Sequence, residues 1–296
     1  MPRAASQLLD DDFLRKVEQL SLVSRKIFAG KMKGERRSKK RGVSIEFADY
    51  RDYSQGDDLR FIDWNIYGRL ERLFLKLFLE EEDLNVYVLV DASQSMAFGT
   101  PPKLEYAKKV AAALAYLALC NLDRAAVHAF AGDLGRTFPL TRGQRQVWRL
   151  FDFLGGVEAG GPTGLAAACK HFAMRRQGKG IVAVVSDFLD KAGYEEGLKY
   201  LAGQKYDVVV CQVLAPEEVE PPEEGDLKLV DIEDADIAEV SLTQELRAAY
   251  RRNLESFCGG LKEVCRKHGF AHLFTTTDRP FDQLILTYLR TVGLVK

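Results

Sequence analysis

A chain of 296 residues, 47% apolar and 29% charged, is long enough for one large core or two modest ones, and its formal net charge of -1 supplies no bulk attraction for nucleic acid or an anionic membrane. Cys120, Cys169, Cys211, Cys258 and Cys265 are scattered without metal-ligand spacing or a paired framework, which points to a reducing cytoplasm. No signal-peptide pattern follows Met1, and the longest apolar run, Val110 to Cys120, is too short to span a bilayer and reads as a buried helix.

Residues 8–28 place Leu9, Phe13, Leu14, Val17, Leu20, Leu22, Val23 and Ile27 close to helical spacing, with acidic residues in the first turns and Arg25-Lys26 in the last. An amphipathic N-terminal helix is expected, docked on the body or on a partner, with Gly30 as its stop. Residues 31–41 carry seven basic residues against Glu35 and no aromatic residue for base stacking, so they read as a solvated linker. The stretch from Glu46 to Arg69 mixes Arg, Asp and aromatic residues around a Gln55-Gly56-Asp57-Asp58 turn, a composition suited to a paired network folded over the core. Leu73 to Leu79 is strand-like. Its short acidic connection to the next strand predicts an antiparallel hairpin and a mixed sheet.

That next strand organises the chain. Asn85 to Val90 is a continuous apolar run suited to burial on both faces, and it delivers Asp91, Ser93 and Ser95 into a loop. An Asp with two alternate hydroxyls offers only oxygen atoms, the donors that hard cations such as Mg²⁺ prefer. Alone, Asp-x-Ser-x-Ser reads first as a capped strand-to-helix turn. Two further loops join it: Gly160-Gly161-Pro162-Thr163-Gly164 ahead of an Ala-rich helix, and Ser186-Asp187 at the end of the apolar strand Ile181 to Val185. Asp91, Ser93, Ser95, Thr163 and Asp187 resemble, in order and chemistry, the metal-ion-dependent adhesion site of von Willebrand factor A domains. The resemblance implies Mg²⁺, with Mn²⁺ or Ca²⁺ as alternatives, and a coordination position left for a carboxylate from another protein.

The remaining elements alternate. Helices are expected at 103–119, 144–154, 165–176, 194–201, 244–268 and 281–291, and strands at 125–130, 138–141, 207–214 and 270–275. His128, on a strand, reads as a satisfied core histidine. Residues 216–239 hold eleven acidic residues against Lys228 and read as solvated surface, with an edge strand at Leu227 to Asp231 paired with Ala238 to Leu242. The pattern predicts one α/β doubly wound domain over 85–296, with a mostly parallel, mixed sheet, and an N-terminal extension over 1–84.

Glu46-Phe47, Arg51-x-Tyr53, Gly56-Asp57-Asp58-x-Arg60 and Ile62-Asp63-Trp64, ahead of Asp91-Ala92-Ser93-Gln94-Ser95-Met96, resemble a bacterial von Willebrand factor A-like family catalogued as domain of unknown function number fifty-eight. The resemblance implies a doubly wound sheet with helices on both faces and a metal at its top edge. It also implies a MoxR-type AAA+ ATPase as partner and a part in the maturation or assembly of other proteins. The function expected is therefore a non-catalytic, Mg²⁺-dependent protein-interaction module. The alternative is a Mg²⁺-dependent hydrolase or phosphatase at the same site. Against it, Ser93 stands where aspartyl-phosphate phosphatases place a second Asp, and no base is evident beside the serine pair.

Overall fold

The computed structural model describes residues 12–20, 47–78, 84–175, 177–204, 206–221, 225–230 and 237–291. The chain divides into two compact units, residues 28–83 and residues 1–27 with 84–296. The first helix, α1 (residues 12–20), buries Phe13, Val17 and Leu20, which recur at i, i+4 and i+7 and so share one face. The Phe13 ring lies 6.1 Å from that of Phe151 and 5.0 Å from that of Phe281. These contacts dock α1 on the core of the larger unit. The rest of the helix expected over 8–28, the basic tract 31–41 and Glu46 lie outside the described residues.

In the smaller unit, β1 (Phe47–Asp52) pairs antiparallel with β2 (Phe74–Phe78), and α2 (Trp64–Leu70) lies between them in the chain. Asp63 caps α2, accepting the Asn65 and Ile66 amides on one oxygen at 2.9 and 3.2 Å. Its other oxygen takes the Tyr50 hydroxyl at 3.0 Å and the Lys76 ammonium at 3.1 Å. Arg51–Asp57, Arg60–Asp58 and Arg72–Asp52 pairs complete the network that the composition suggested. The expected hairpin between residues 73–79 and the strand at Asn85 is not formed: β2 pairs with β1, since both edges of the Asn85 strand are taken by parallel neighbours.

The larger unit is built on a six-stranded sheet. In chain order its strands are β3 (Asn85–Asp91), β4 (Arg124–Phe130), β5 (Leu134–Arg142), β6 (Gly180–Ser186), β7 (Tyr206–Leu214) and, after the intervening pair β8 (Gly225–Val230) and β9 (Ile237–Leu242), β10 (Ala271–Thr276). The spatial order is β10-β7-β6-β3-β4-β5, parallel throughout except for β5, which runs antiparallel to β4 at one edge. The α/β class, the doubly wound arrangement and the mixed, mostly parallel sheet all agree with the sequence reading. Among the described residues, β8 and β9 pair only with each other, as a separate two-stranded sheet.

Helices cover both faces. They are α3 (Lys103–Cys120), α4 (Val147–Gly155), α5 (Leu165–Met174), α6 (Glu195–Ala202), the short α7 (Pro216–Val219), α8 (Gln244–His268) and α9 (Phe281–Thr291). Alternation along β3 sorts the layers. Val86, Val88 and Val90 join the core formed with α1, α3, α4 and α9, whereas Tyr87 and Leu89 join the core formed with α5, α6 and α8. Burying one such side chain contributes on the order of 2 kcal/mol, so a strand buried on both faces anchors the whole sheet. Six alanines of α3, from Ala107 to Ala118, are buried, and their small side chains let the helix lie close to the sheet.

His128 lies in β4, buried edge-on to Phe172 at 5.4 Å. Its Nδ1 meets the Thr137 hydroxyl at 3.2 Å, but its Nε2 has no hydrogen-bond partner among the described residues, so the expected core histidine is only half satisfied. Burial, helped by the charge of Arg175, lowers its pKa to about 4. Among the described residues no helix is long and apolar enough to cross a membrane.

Candidate metal centre

The chain runs from β3 through α3 to β4 on one side of β3, then returns through β6 on the other side. The β3/β6 boundary is thus the point where the winding reverses, and the crevice outside the carboxyl ends of these two strands is where open α/β sheets bind ligands. Asp91 is the last residue of β3 and Asp187 directly follows β6. Topology alone therefore brings together two carboxylates almost a hundred residues apart.

Hydrogen bonds then fix the loops. Asp91 Oδ1 accepts the Ser93 amide at 2.9 Å, which folds the Asp-x-Ser-x-Ser segment back over the strand end. The Ser93 and Ser95 hydroxyls are 3.1 Å apart, and Ser95 Oγ donates to Asp187 Oδ2 at 3.1 Å. The third loop is held against the first by Gln94 N to Gly161 O at 2.9 Å and Gly160 N to Ala92 O at 2.8 Å. Thr163 sits half-buried on that loop. All five residues expected from the sequence lie on these three adjoining loops, and Ser93, Ser95 and Asp187 are joined side chain to side chain.

The electrostatics are those of carboxylates short of water. Asp91 and Asp187 are fully buried, and burial together with the charge of Asp187 pushes the Asp91 carboxyl up to about 7, against opposing bonds from Ser186 and Ser93. Among the described residues no three His, Cys, Asp or Glu side chains converge as a metal cluster. The donors here are two carboxylates and neighbouring hydroxyls, an all-oxygen set that fits a small hard cation and not a soft one.

Four residues outside the expected ligand set complete the site. Ser186 Oγ donates to Asp91 Oδ2 at 2.5 Å. Asp190 accepts the Leu165 amide at 3.1 Å and the Ala192 amide at 2.8 Å, tying the start of α5, and with it the Thr163 loop, to the segment after β6. Lys103, at the start of α3 and 1% exposed, places its ammonium 2.7 Å from Asp187 Oδ2. The same ammonium meets Glu218 Oε1 at 2.5 Å, so this member of the acidic segment is a structural partner and not solvated surface. Burial opposes the Lys103 charge, but Asp187 and Glu218 outweigh it and hold its pKa above the ordinary lysine range. Ser186 was legible as a polar strand end. A lysine and a glutamate 115 residues apart carry no local sign that they meet.

The fold and these loops define a doubly wound α/β protein with an oxygen-donor cluster at its topological switch point. A family model described as "Protein of unknown function DUF58" matches residues 49–256, and the chain belongs to that family, the one singled out by the Glu46 to Trp64 signature. It is 27% identical over 243 residues to the uncharacterised protein Rv1480 of Mycobacterium tuberculosis, covering 80% of this chain and 76% of that protein. Among solved structures it is similar to the conserved hypothetical protein BatB from Bacteroides thetaiotaomicron, at 16% identity and a TM-score of 0.47, over 72% of this chain and 100% of that one. It is also similar to an aerotolerance-related membrane protein from Bacteroides fragilis, at 17% identity and a TM-score of 0.44, over 70% and 99% of the two chains.

Proposed function

We propose that the protein is a non-catalytic, Mg²⁺-dependent interaction module whose partner supplies an acidic side chain to the ion. The observation that carries this reading is the hydroxyl-carboxylate chain Ser93–Ser95–Asp187 beside Asp91. Asp91, Ser93, Ser95, Thr163 and Asp187 would hold the ion. When bound, the ion supplies a concentrated positive charge at the rim of the sheet, able to accept one more carboxylate. The protein's own residues do the rest. Ser186 and the Ser93 amide fix the Asp91 carboxylate, the Leu189 amide fixes Asp187 Oδ1 at 3.0 Å, and the buried walls keep the local dielectric low.

The mouth of the site supports a macromolecular partner. Phe98 and Leu189, on the segments that follow Ser95 and Asp187, are 41% and 40% exposed, and apolar side chains beside a charged centre suit a protein surface. The family resemblance adds the partner class, a MoxR-type AAA+ ATPase, and the role, maturation or assembly of other proteins. Linkage requires that a partner completing the ion's shell raise metal affinity by the same factor as metal raises partner affinity. The test is capture of the ATPase by the full chain in Mg²⁺ and in chelator. Mg²⁺-dependent capture that disappears in Asp187→Ala supports the reading, and equal capture in both conditions overturns it.

A further inference from the structure

Asp187 has little capacity left for an ion. Its Oδ1 accepts the Leu189 amide, while its Oδ2 accepts both the Ser95 hydroxyl at 3.1 Å and the Lys103 ammonium at 2.7 Å. A carboxylate oxygen has about two lone-pair sites, so Oδ2 is fully subscribed. A cation that binds this oxygen directly must displace one of these two donors. The ammonium, being positive, is the one an incoming cation repels.

Lys103 also has somewhere to go. Glu218 Oε1 already holds the same ammonium, and Glu218 is itself fixed, since its Oε2 accepts the Ala215 amide at 2.7 Å and its carbonyl accepts the Tyr250 hydroxyl at 2.6 Å. A buried charge stripped of its only partner is strongly destabilising, whereas one shared between two carboxylates can release the first and stay paired with the second. The Lys103 stem starts α3, and the Glu218 helix α7 follows β7, so two rigid elements hold the arrangement in place.

From this geometry we infer that Lys103 is the site's built-in counter-cation: it competes with the divalent ion for Asp187, and Glu218 sets how readily it yields. The inference rests on the metal-binding reading above. Lys103 and Glu218 thereby fix metal affinity without being ligands, and occupancy of the ion is transmitted to α7 through the strengthened Lys103–Glu218 pair.

The test is calorimetric titration of MgCl₂ into the full chain, wild type against Lys103→Met and Glu218→Gln. Removing the competing charge should tighten Mg²⁺ binding by roughly tenfold or more, as expected for a unit charge within a few ångströms in a partly buried site. Glu218→Gln leaves the ammonium to Asp187 alone and should weaken binding several-fold. Opposite signs from two residues outside the ligand set are not what general loosening of the fold produces. If Lys103→Met does not fold, Glu218→Gln, which keeps the Lys103–Asp187 pair, carries the test by itself. Wild type that binds Mg²⁺ while neither variant shifts in the stated direction overturns the inference and leaves the metal site standing. Mg²⁺ binding by Lys103→Met alone supports it. No binding by any of the three overturns both.

Discussion

The Ser186 hydroxyl donates to Asp91 Oδ2 at 2.5 Å and accepts the Phe188 amide at 2.9 Å, so one buried group fastens the ends of the two strands between which the winding reverses. Phe188, held by this bond, has φ 62, a left-handed conformation costly for a residue with a Cβ, and its ring is fully buried. The turn that aims Asp187 is therefore bought by packing and by Ser186.

Ser186→Ala should destabilise the protein by about 1–3 kcal/mol, because it leaves a buried carboxyl and a buried amide without their partner. Urea denaturation of the two proteins measures it. A loss below about 0.5 kcal/mol would show that the bond fastens nothing.

Gly164 precedes α5, and a Cβ there would stand 2.1 Å from the carbonyl oxygen of Gly132, with other backbone atoms of Gly132 at 2.6 and 2.7 Å. Backbone cannot yield as a flexible side chain does. Gly164→Ala should therefore push the Thr163 loop off the turn after β4, at a cost of about 1–3 kcal/mol, and weaken Mg²⁺ binding with it. Gly160→Ala, where nothing lies within 4 Å, is the control in the same loop and should change neither quantity.

Much of this was legible beforehand. The run Asn85 to Val90 ending in an Asp reads as a central strand because both faces are apolar, and burial on both sides confirms it. The helix expected over 244–268 was equally readable; it is present as Gln244–His268, and Thr243 caps it, its hydroxyl accepting the Leu246 amide at 3.2 Å. The partner of β2 was not, because local spacing favours the nearest strand while the long-range filling of β3's edges decides the pairing. The sequence shows Lys103 only as the start of a helix, since nothing local distinguishes a lysine that turns inward toward a distant carboxylate from one that faces water.

His128 gives the protein a pH dependence of known sign. Its imidazole is held neutral in the fold, with a pKa of about 4, whereas in the unfolded chain it titrates near the ordinary value of about 6.5. Between these values the unfolded chain binds the extra proton at this residue, so the His128 contribution to stability rises with pH there. The contribution is fully present above pH 6.5 and is lost as the pH falls toward 4, by up to about 3 kcal/mol. Because the raised Asp91 carboxyl contributes with the opposite sign over the same range, the His128 contribution is read as a difference in denaturation midpoints: from pH 7.5 to 4.5 wild type should lose stability relative to His128→Gln. An unchanged slope in the variant would assign the effect to other groups.

Asp63 holds the smaller unit together, because it is at once the cap of α2 and the acceptor for Tyr50 on β1 and Lys76 on β2. Asp63→Ala should lose amide-exchange protection at Asn65 and Ile66 and speed proteolysis within residues 47–78. Asp63→Asn, which keeps an oxygen for the cap but not the charge, should fall between. Unchanged protection in the alanine variant would contradict the assignment.

The central claim is that five oxygen-bearing residues on three loops form one divalent-cation site. Calorimetric titration of Mg²⁺ into wild type, Asp187→Ala and Ser93→Ala tests it most directly, with circular dichroism confirming that each variant is folded. The account predicts one saturable site in wild type, none in Asp187→Ala, and weakened binding in Ser93→Ala, where water can replace one neutral donor. Folded wild type that takes up no Mg²⁺, or Asp187→Ala that binds it as wild type does, would contradict the account and return these residues to the role of loop caps.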